Sequence, residues 1–302
     1  MSSIIKNQLC VPVLLVVFNR PETTQRVFDE VRKAQPRKLY IAADGPRNED
    51  DENRCLLVKE IFKNVDWPCE VKALYRDQNL GCKIAVSSAI NWFFQNEEEG
   101  IILEDDCLPS QSFFEYCDNL LEKYRNDERV YLISGYNKQN IWRPSSADYF
   151  FSNLGGIWGW ASWRRAWRHF DLEMKSLDEF ISQKKFQHLL GKRLGNLRQT
   201  QMLAARGGKG MSAWDYQWGF ARHFNSGMAC VPTKSLIENI GFGEDATHTK
   251  INISAIRVCR HEIDFPLREN PIVVADADYD NKFFQPLYVR ILGKMFTKLK
   301  GQ

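Results

Sequence analysis

The chain lacks any large excess of charge of one sign: 41 lysines and arginines stand against 38 aspartates and glutamates, a formal +3. That balance gives no reason to expect a polyanion partner for the whole chain, and nucleic acid is not expected to bind. Long apolar runs are missing too. The longest, residues 11–18, falls far short of the ~20 residues needed to cross a bilayer. No basic start followed by an apolar stretch precedes it, so a cytoplasmic protein, neither secreted nor transmembrane, is expected. The eight cysteines are Cys10, Cys55, Cys69, Cys82, Cys107, Cys117, Cys230 and Cys259; they include no CxxC pair, and no histidine is spaced to complete a zinc site. They are expected as buried, reduced thiols. No internal repeat, low-complexity segment or clear linker divides the chain.

What is present is material for a core and a regular alternation. With 302 residues, 44% hydrophobic and 13% aromatic, the chain can bury a large interior. Residues 11–18 form a continuous β-branched and apolar run, the pattern of a strand covered on both faces. Asn19-Arg20-Pro21 then opens a helix with Val27, Val31 and Ala34 at i, i+4 and i+7. A second strand at 38–43 ends in the turn Asp44-Gly45-Pro46, a helical stretch covers 57–62, and a third strand is expected at 70–75. Val86, Ile90 and Phe93 mark the next helix, residues 100–103 a short apolar strand, Phe113, Cys117, Leu120 and Tyr124 a further helix, and residues 130–134 a fifth strand.

This order predicts an α/β fold with a doubly wound, mostly parallel sheet and right-handed crossovers. Ligands of such sheets bind beyond the carboxyl ends of the strands. Asn19-Arg20, Asp44-Gly45, residues 76–81 and residues 104–106 all fall there, so four polar clusters are expected to meet in one crevice. The second half is irregular and holds seven of the nine tryptophans, from Trp142 to Trp218. It is expected to wrap the open edge of the sheet.

Glu104-Asp105-Asp106 is the strongest single feature, three carboxylates at the end of a buried strand. Adjacent negative charges repel and lose hydration there, which points to a cation between them. Oxygen-only ligation suits Mg²⁺ or Mn²⁺, with substrate phosphates completing the shell. The other reading is an acidic loop that caps the following helix.

FNRP at 18–21, ADGPR at 43–47, RDQNLGC at 76–82, ILEDDCLPS at 102–110, WGWASWRRAW at 158–167 and NIGFGEDATHT at 239–249 together span nearly the whole chain. This ordered set resembles a bacterial nucleotide-diphospho-sugar glycosyltransferase family of GT-A fold, similar in pattern to N-acetylglucosaminyltransferase I. The resemblance implies that Asp106 binds the metal, with Glu104 and Asp105 facing the ribose and the metal shell. It implies that Asp44 recognises the base or ribose, and that Arg76, Asn79, Gly81 and Lys83 approach the base and diphosphate of a donor, UDP-sugar being expected. Asn19 and Arg20 stand as donor-side candidates. A late histidine, here His248, is implied as a further metal ligand, with a Thr247 or His248 contact to the diphosphate as the other reading. On this reading residues 1–280 form one domain, the nucleotide-binding half being 1–135 and the acceptor-side half 136–280, and residues 281–302 form a basic amphipathic helix. A diphosphate brings about two negative charges beside the carboxylates, which the metal and Arg76 or Lys83 would offset.

Inverting glycosyl transfer needs one general base for the acceptor hydroxyl. Asp215, between Trp214 and Trp218, is the candidate, because shielding from water raises its basicity and the indole rings suit the apolar face of a sugar. Helix capping by Asp215 is the competing reading. The aromatic cluster at 158–167 reads as an acceptor-binding platform or as packed core, the helical spacing of Trp160, Trp163 and Trp167 favouring core for at least two of them, while Gly155-Gly156 allows close approach to the donor sugar. Leu287, Ile291, Met295 and Leu299 share a face flanked by lysines, a helix that can lie on an anionic inner-membrane surface or dock on the core. A glycan or lipid-linked acceptor would suit the first. Two other functions fit parts of the pattern. A nucleotidyltransferase would carry a Gly-rich basic loop after the first strand, which residues 18–21 do not supply. A non-catalytic carbohydrate-binding protein would not need three carboxylates at a strand end.

Overall fold

The structure is a computed structural model, and it describes residues 8–143, 146–208, 214–241 and 258–284. The first half alternates as the periodicity predicts: β1 (Val13–Val17), α1 (Pro21–Ala34), β2 (Lys38–Ala43), α2 (Glu49–Ile61), β3 (Glu70–Tyr75), α3 (Cys82–Asn96) and β4 (Glu99–Glu104). A short β5 (Cys107–Pro109), α4 (Gln111–Tyr124) and β6 (Val130–Ser134) follow. The second half adds β7 (Tyr149–Ser152), β8 (Trp160–Trp163), α5 (Arg164–Trp167), α6 (Leu177–Ser182), α7 (Lys185–Arg206), α8 (Asp215–Phe224), β9 (Met228–Pro232), β10 (Ile237–Asn239) and α9 (Ala277–Phe283).

Eight strands form one sheet in the order β3-β2-β1-β4-β8-β6-β9-β7. β3, β2, β1 and β4 are mutually parallel, and β6 and β9 are parallel to each other. Only β8 and β7 run against their neighbours. β1 shows why its run is apolar throughout: Val13, Leu15 and Val17 pack on one side with α1, α2 and α4, while Leu14 and Val16 pack on the other with α3. Successive strand residues point to opposite faces, and both faces here are covered by helices.

Two expectations change in form. The strand at 130–134 does not pair with β4, because β8 inserts antiparallel between them. Trp160 and Trp163, despite their helical spacing, lie in β8 and bury on opposite faces of the sheet. A short apolar run covered on both sides carries no period that tells strand from helix. The irregular half therefore extends the sheet rather than merely wrapping its edge. Within α2 it is Cys55, Val58 and Ile61 that turn inward, and Leu57 is exposed.

All eight cysteines are free thiols; Cys55, Cys107, Cys117 and Cys230 are buried, whereas Cys10, Cys82 and Cys259 are exposed, against expectation. Among the described residues no helix is long and apolar enough to cross a membrane. The expected helix at 287–300, and Thr247 and His248, lie outside the described residues.

Candidate functional site

A crevice of about 740 Å³ opens beyond the carboxyl ends of β1, β2 and β4, and the four polar clusters do meet there. Asn19, Arg20, Asp44, Arg76, Asn79, Gly81, Glu104, Asp105 and Asp106 all line it. Lys83, on the first turn of α3, is not among the lining residues. Parallel strands deliver their ends to one edge, so residues distant in sequence become neighbours.

Each cluster is held by a local device. Asp44 is nine-tenths buried and accepts from Gly45 N (3.0 Å), Asn79 Nδ2 (3.0 Å), Leu80 N (3.0 Å) and Gly81 N (3.1 Å). Its carboxylate thus pins the loop before α3 to the turn after β2. Gly45 makes that apposition possible, since a β-carbon there would sit 2.4 Å from the Gln78 carbonyl carbon. Gly81 has φ +75°, in the left-handed region that favours glycine. Arg76 donates to Ser88 Oγ at 2.7 Å, which fixes its guanidinium at the crevice wall.

The start of α2 supplies residues that sequence reasoning did not single out. Arg47, Asp51 and Arg54 line the same crevice. Asp51 accepts from Arg47 Nε and Asn19 Nδ2, both at 2.5 Å, and Arg47 first and Asn19 next hold its carboxyl down at about 2. Arg54 Nε donates to Asn19 O at 2.8 Å. With Arg20 and Arg76, four guanidiniums face one cavity. The only signal in the sequence was the charge-dense run at 47–54, which reads equally well as a solvated helix start.

The carboxylates sit opposite. Arg20 Nη1 lies 2.9 Å from Asp106 Oδ2 and 3.6 Å from Asp105 Oδ1. Asp105 Oδ2 also accepts from Phe18 N at 3.1 Å, tying β4 to the end of β1. Asp106 Oδ1 accepts from Asn239 Nδ2 at 3.2 Å, and its carbonyl from Ile240 N at 2.8 Å. The NIGFG segment thus begins against the EDD triplet, with no room for a side chain at Gly241, whose β-carbon would come within 2.2 Å of Asp106 Oδ2. Burial first, then the neighbouring carboxylates, push Glu104 up to about 8 and Asp105 up to about 7.

The cationic group that lies against Asp105 and Asp106 is the Arg20 guanidinium. Among the described residues no group of three His, Cys, Asp or Glu side chains converges to hold an ion by itself. The donor set fits a hard divalent ion that takes most of its shell from a substrate, as Mg²⁺ characteristically does, and does not fit a closed all-protein site.

Asp215 opens α8, in its first turn and not at its N-cap, which is Trp214. Its Oδ1 is buried without a hydrogen-bond partner among the described residues, and burial raises its pKa while Arg198 pulls the other way. It lies within electrostatic reach of Glu104 and Cys82. A second cavity of about 190 Å³ adjoins it, lined by Gly155, Gly156, Trp158 and Tyr136 among others. Trp160, Trp167, Trp214 and Trp218 instead form a buried cluster beneath.

Fold and site together define an α/β protein with a charged crevice at a parallel strand edge. No protein-family model matches the chain, and no curated protein is significantly similar to it. Solved structures share part of its backbone course. An apo UDP-glucose pyrophosphorylase is 9% identical, with 77% of this chain and 93% of that one covered and a TM-score of 0.37. A UDP-glucose pyrophosphorylase complexed with UDP-glucose is 10% identical over 53% and 78%, with a TM-score of 0.33. The 4-diphosphocytidyl-2C-methyl-D-erythritol synthase of Anaerococcus prevotii is 9% identical over 57% and 77%, with a TM-score of 0.34. Likeness at this level carries nothing about the chemistry of this chain.

Proposed function

We propose that the chain is a glycosyltransferase that binds a nucleotide-diphospho-sugar, UDP-sugar in the first instance, in the strand-edge crevice and transfers the sugar to an acceptor hydroxyl. The observation that carries the reading is the meeting of the Glu104–Asp106 carboxylates with four arginines in one cavity, with the half-buried Asp215 within electrostatic reach of it. Arg20, Arg47, Arg54 and Arg76 supply the charge a diphosphate requires, and guanidinium forks match its oxygens. Asp105 and Asp106 would hold Mg²⁺ or Mn²⁺, and Arg20 would give up its place between them to do so. A bound divalent ion stabilises the charge that develops on a departing diphosphate.

The protein's own groups account for the rest. Asp44 keeps the Asn79–Gly81 loop against the crevice, giving the donor a preformed wall. Asp215, raised by burial, takes the proton from the acceptor hydroxyl as its oxygen bonds to the anomeric carbon and the bond to the diphosphate breaks. Attack from the face opposite the leaving group inverts the anomeric centre. The acceptor would be a glycan or a lipid-linked sugar, presented at the cytoplasmic face of the membrane, where the basic C-terminal segment would make peripheral contact.

Calorimetric titration with UDP and GDP, with and without Mn²⁺, tests the donor site. UDP should bind only with Mn²⁺, and Asp106→Ala should weaken it at least tenfold. Metal-independent binding, or full affinity in Asp106→Ala, would remove the reading. Release of pyrophosphate instead of UDP on turnover would assign the crevice to nucleotidyl transfer.

A further inference from the structure

The cavity beside Asp215 is lined by two arginines on neighbouring helices, Arg198 of α7 and Arg222 of α8. Arg222 is 2% exposed, and its Nε and Nη1 have no hydrogen-bond partner among the described residues; Nη2 donates to Leu154 O. Arg198 donates to the ring nitrogen Nε2 of His223 (3.1 Å) and to Gln201 Oε1 (3.3 Å), both neutral acceptors. Neither guanidinium forms an ion pair among the described residues. Asp215 influences Arg198 from a distance, and Asp280, which influences Arg222, spends its carboxylate on Ser152 and Asn153. Burial depresses both arginines, Arg198 to about 10 and Arg222 to about 9, and burial first, then the two guanidiniums, holds the pKa of the His223 imidazole far down.

Buried donors left unpaired are costly, and a buried cation without a counter-charge more so, unless a ligand completes them. The chain has gone to some length to keep this arrangement. A β-carbon at Gly219 would come within 2.2 Å of Arg198 Nη2, so glycine is what lets that guanidinium lie against α8. The lining is also aromatic: the Tyr136 and Trp158 rings lie tilted at 54° with centroids 4.5 Å apart, and Gly156, whose β-carbon would sit 2.4 Å from Tyr136 Cδ1, leaves that ring its place. An aromatic wall suits the apolar face of a sugar ring, and a guanidinium fork suits a planar or tetrahedral oxyanion.

We propose that this cavity is the acceptor subsite and that it selects an acceptor sugar bearing an oxyanion, a carboxylate or a phosphate, which Arg222 and Arg198 bind while Tyr136 and Trp158 cover the ring. The word acceptor rests on the glycosyltransferase reading; the oxyanion site does not. At about 190 Å³ the cavity has room for a single sugar ring. The ring's hydroxyl then lies on the side of Asp215, which lines the same cavity and is within reach of Glu104 in the donor crevice.

The test is titration of the full chain with D-glucuronate, D-glucose and inorganic phosphate, followed by ligand-observed NMR, for the protein and for Arg222→Met and Arg198→Gln. Glucuronate should bind at least tenfold more tightly than glucose, and both variants should lose that preference while retaining UDP binding. Arg198→Gln, at a half-buried position, carries the test if Arg222→Met does not fold. Phosphate binding as tightly as glucuronate, and lost in the same variants, would assign the site to a phosphorylated acceptor; a clear preference for glucuronate would assign it to a uronic sugar. Equal binding of glucuronate and glucose, or a preference that survives both substitutions, would overturn the proposal. Loss of UDP binding in the unmodified chain with the glucuronate preference intact would sink the donor reading and leave the anion pocket standing.

Discussion

Asp215 carries the heaviest chemical load of any single residue in the proposed reaction. Its carboxylate is raised because burial penalises the ionised form more than Arg198 favours it. A base raised in this way is active only when deprotonated, so kcat/KM should fall as pH drops through an apparent pKa above the ordinary aspartate value of about 3.9. Asp215→Asn should lower turnover by about 10²- to 10⁴-fold, the usual worth of a positioned base, with UDP affinity unchanged in the same preparation. Turnover within threefold of the parent would move the base elsewhere. Asp215 was legible in the sequence because it sits between two tryptophans. Arg198 and Arg222 were not, since nothing in their local sequence distinguishes an arginine that lines a cavity from one on a solvated helix face.

Among the elements, the crevice depends on the contact between the turn after β2 and the loop before α3. That contact is as close as backbone on backbone at Gly45 and Gln78, and the Asp44 carboxylate bridges it. Gly45→Ala would drive a methyl group into backbone that cannot rotate away. It should cost about 1–3 kcal/mol, the range for overpacking a tight site, read as a lower urea midpoint, and should weaken UDP binding by displacing Asn79 and Gly81. Stability unchanged to within about 0.5 kcal/mol would show that the loop shifts freely. The turn chemistry Asp-Gly-Pro announced a bend here, but not which second loop would lie against it. The same limit applies to β8: its residues were visible as an apolar run, whereas its insertion between β4 and β6 is a pairing choice made 26 or more residues away along the chain.

Over the whole molecule, the two sides of the sheet are held by different machinery. One face is covered by the aliphatic and aromatic surfaces of α1, α2 and α4, and the other by α3 and the tryptophan cluster. Trp160 on β8 stacks on Trp214 at 5.8 Å and lies 5.9 Å from Trp218, so the sheet is clamped to the helix that presents Asp215 and Arg222. Trp160→Ala should destabilise the fold by about 3–5 kcal/mol, the cost of emptying a large aromatic site, measured by denaturant unfolding. A loss below about 1 kcal/mol would show that α8 is held without the cluster.

Alone, the sequence determined the alternation of strands and helices in the first half, the parallel sheet, and the four polar clusters at its carboxyl edge. Those features follow from periodicities of 2 and 3.6 residues and from turn chemistry, all of which act over a few neighbours. Only the tertiary structure decided that β8 runs antiparallel between β4 and β6, that Arg47, Asp51 and Arg54 join the crevice, and that Arg198 and Arg222 share a cavity with Asp215. Those are contacts between residues remote along the chain, fixed by how the packed faces fit and by where buried charge finds its partners, and no local pattern encodes them.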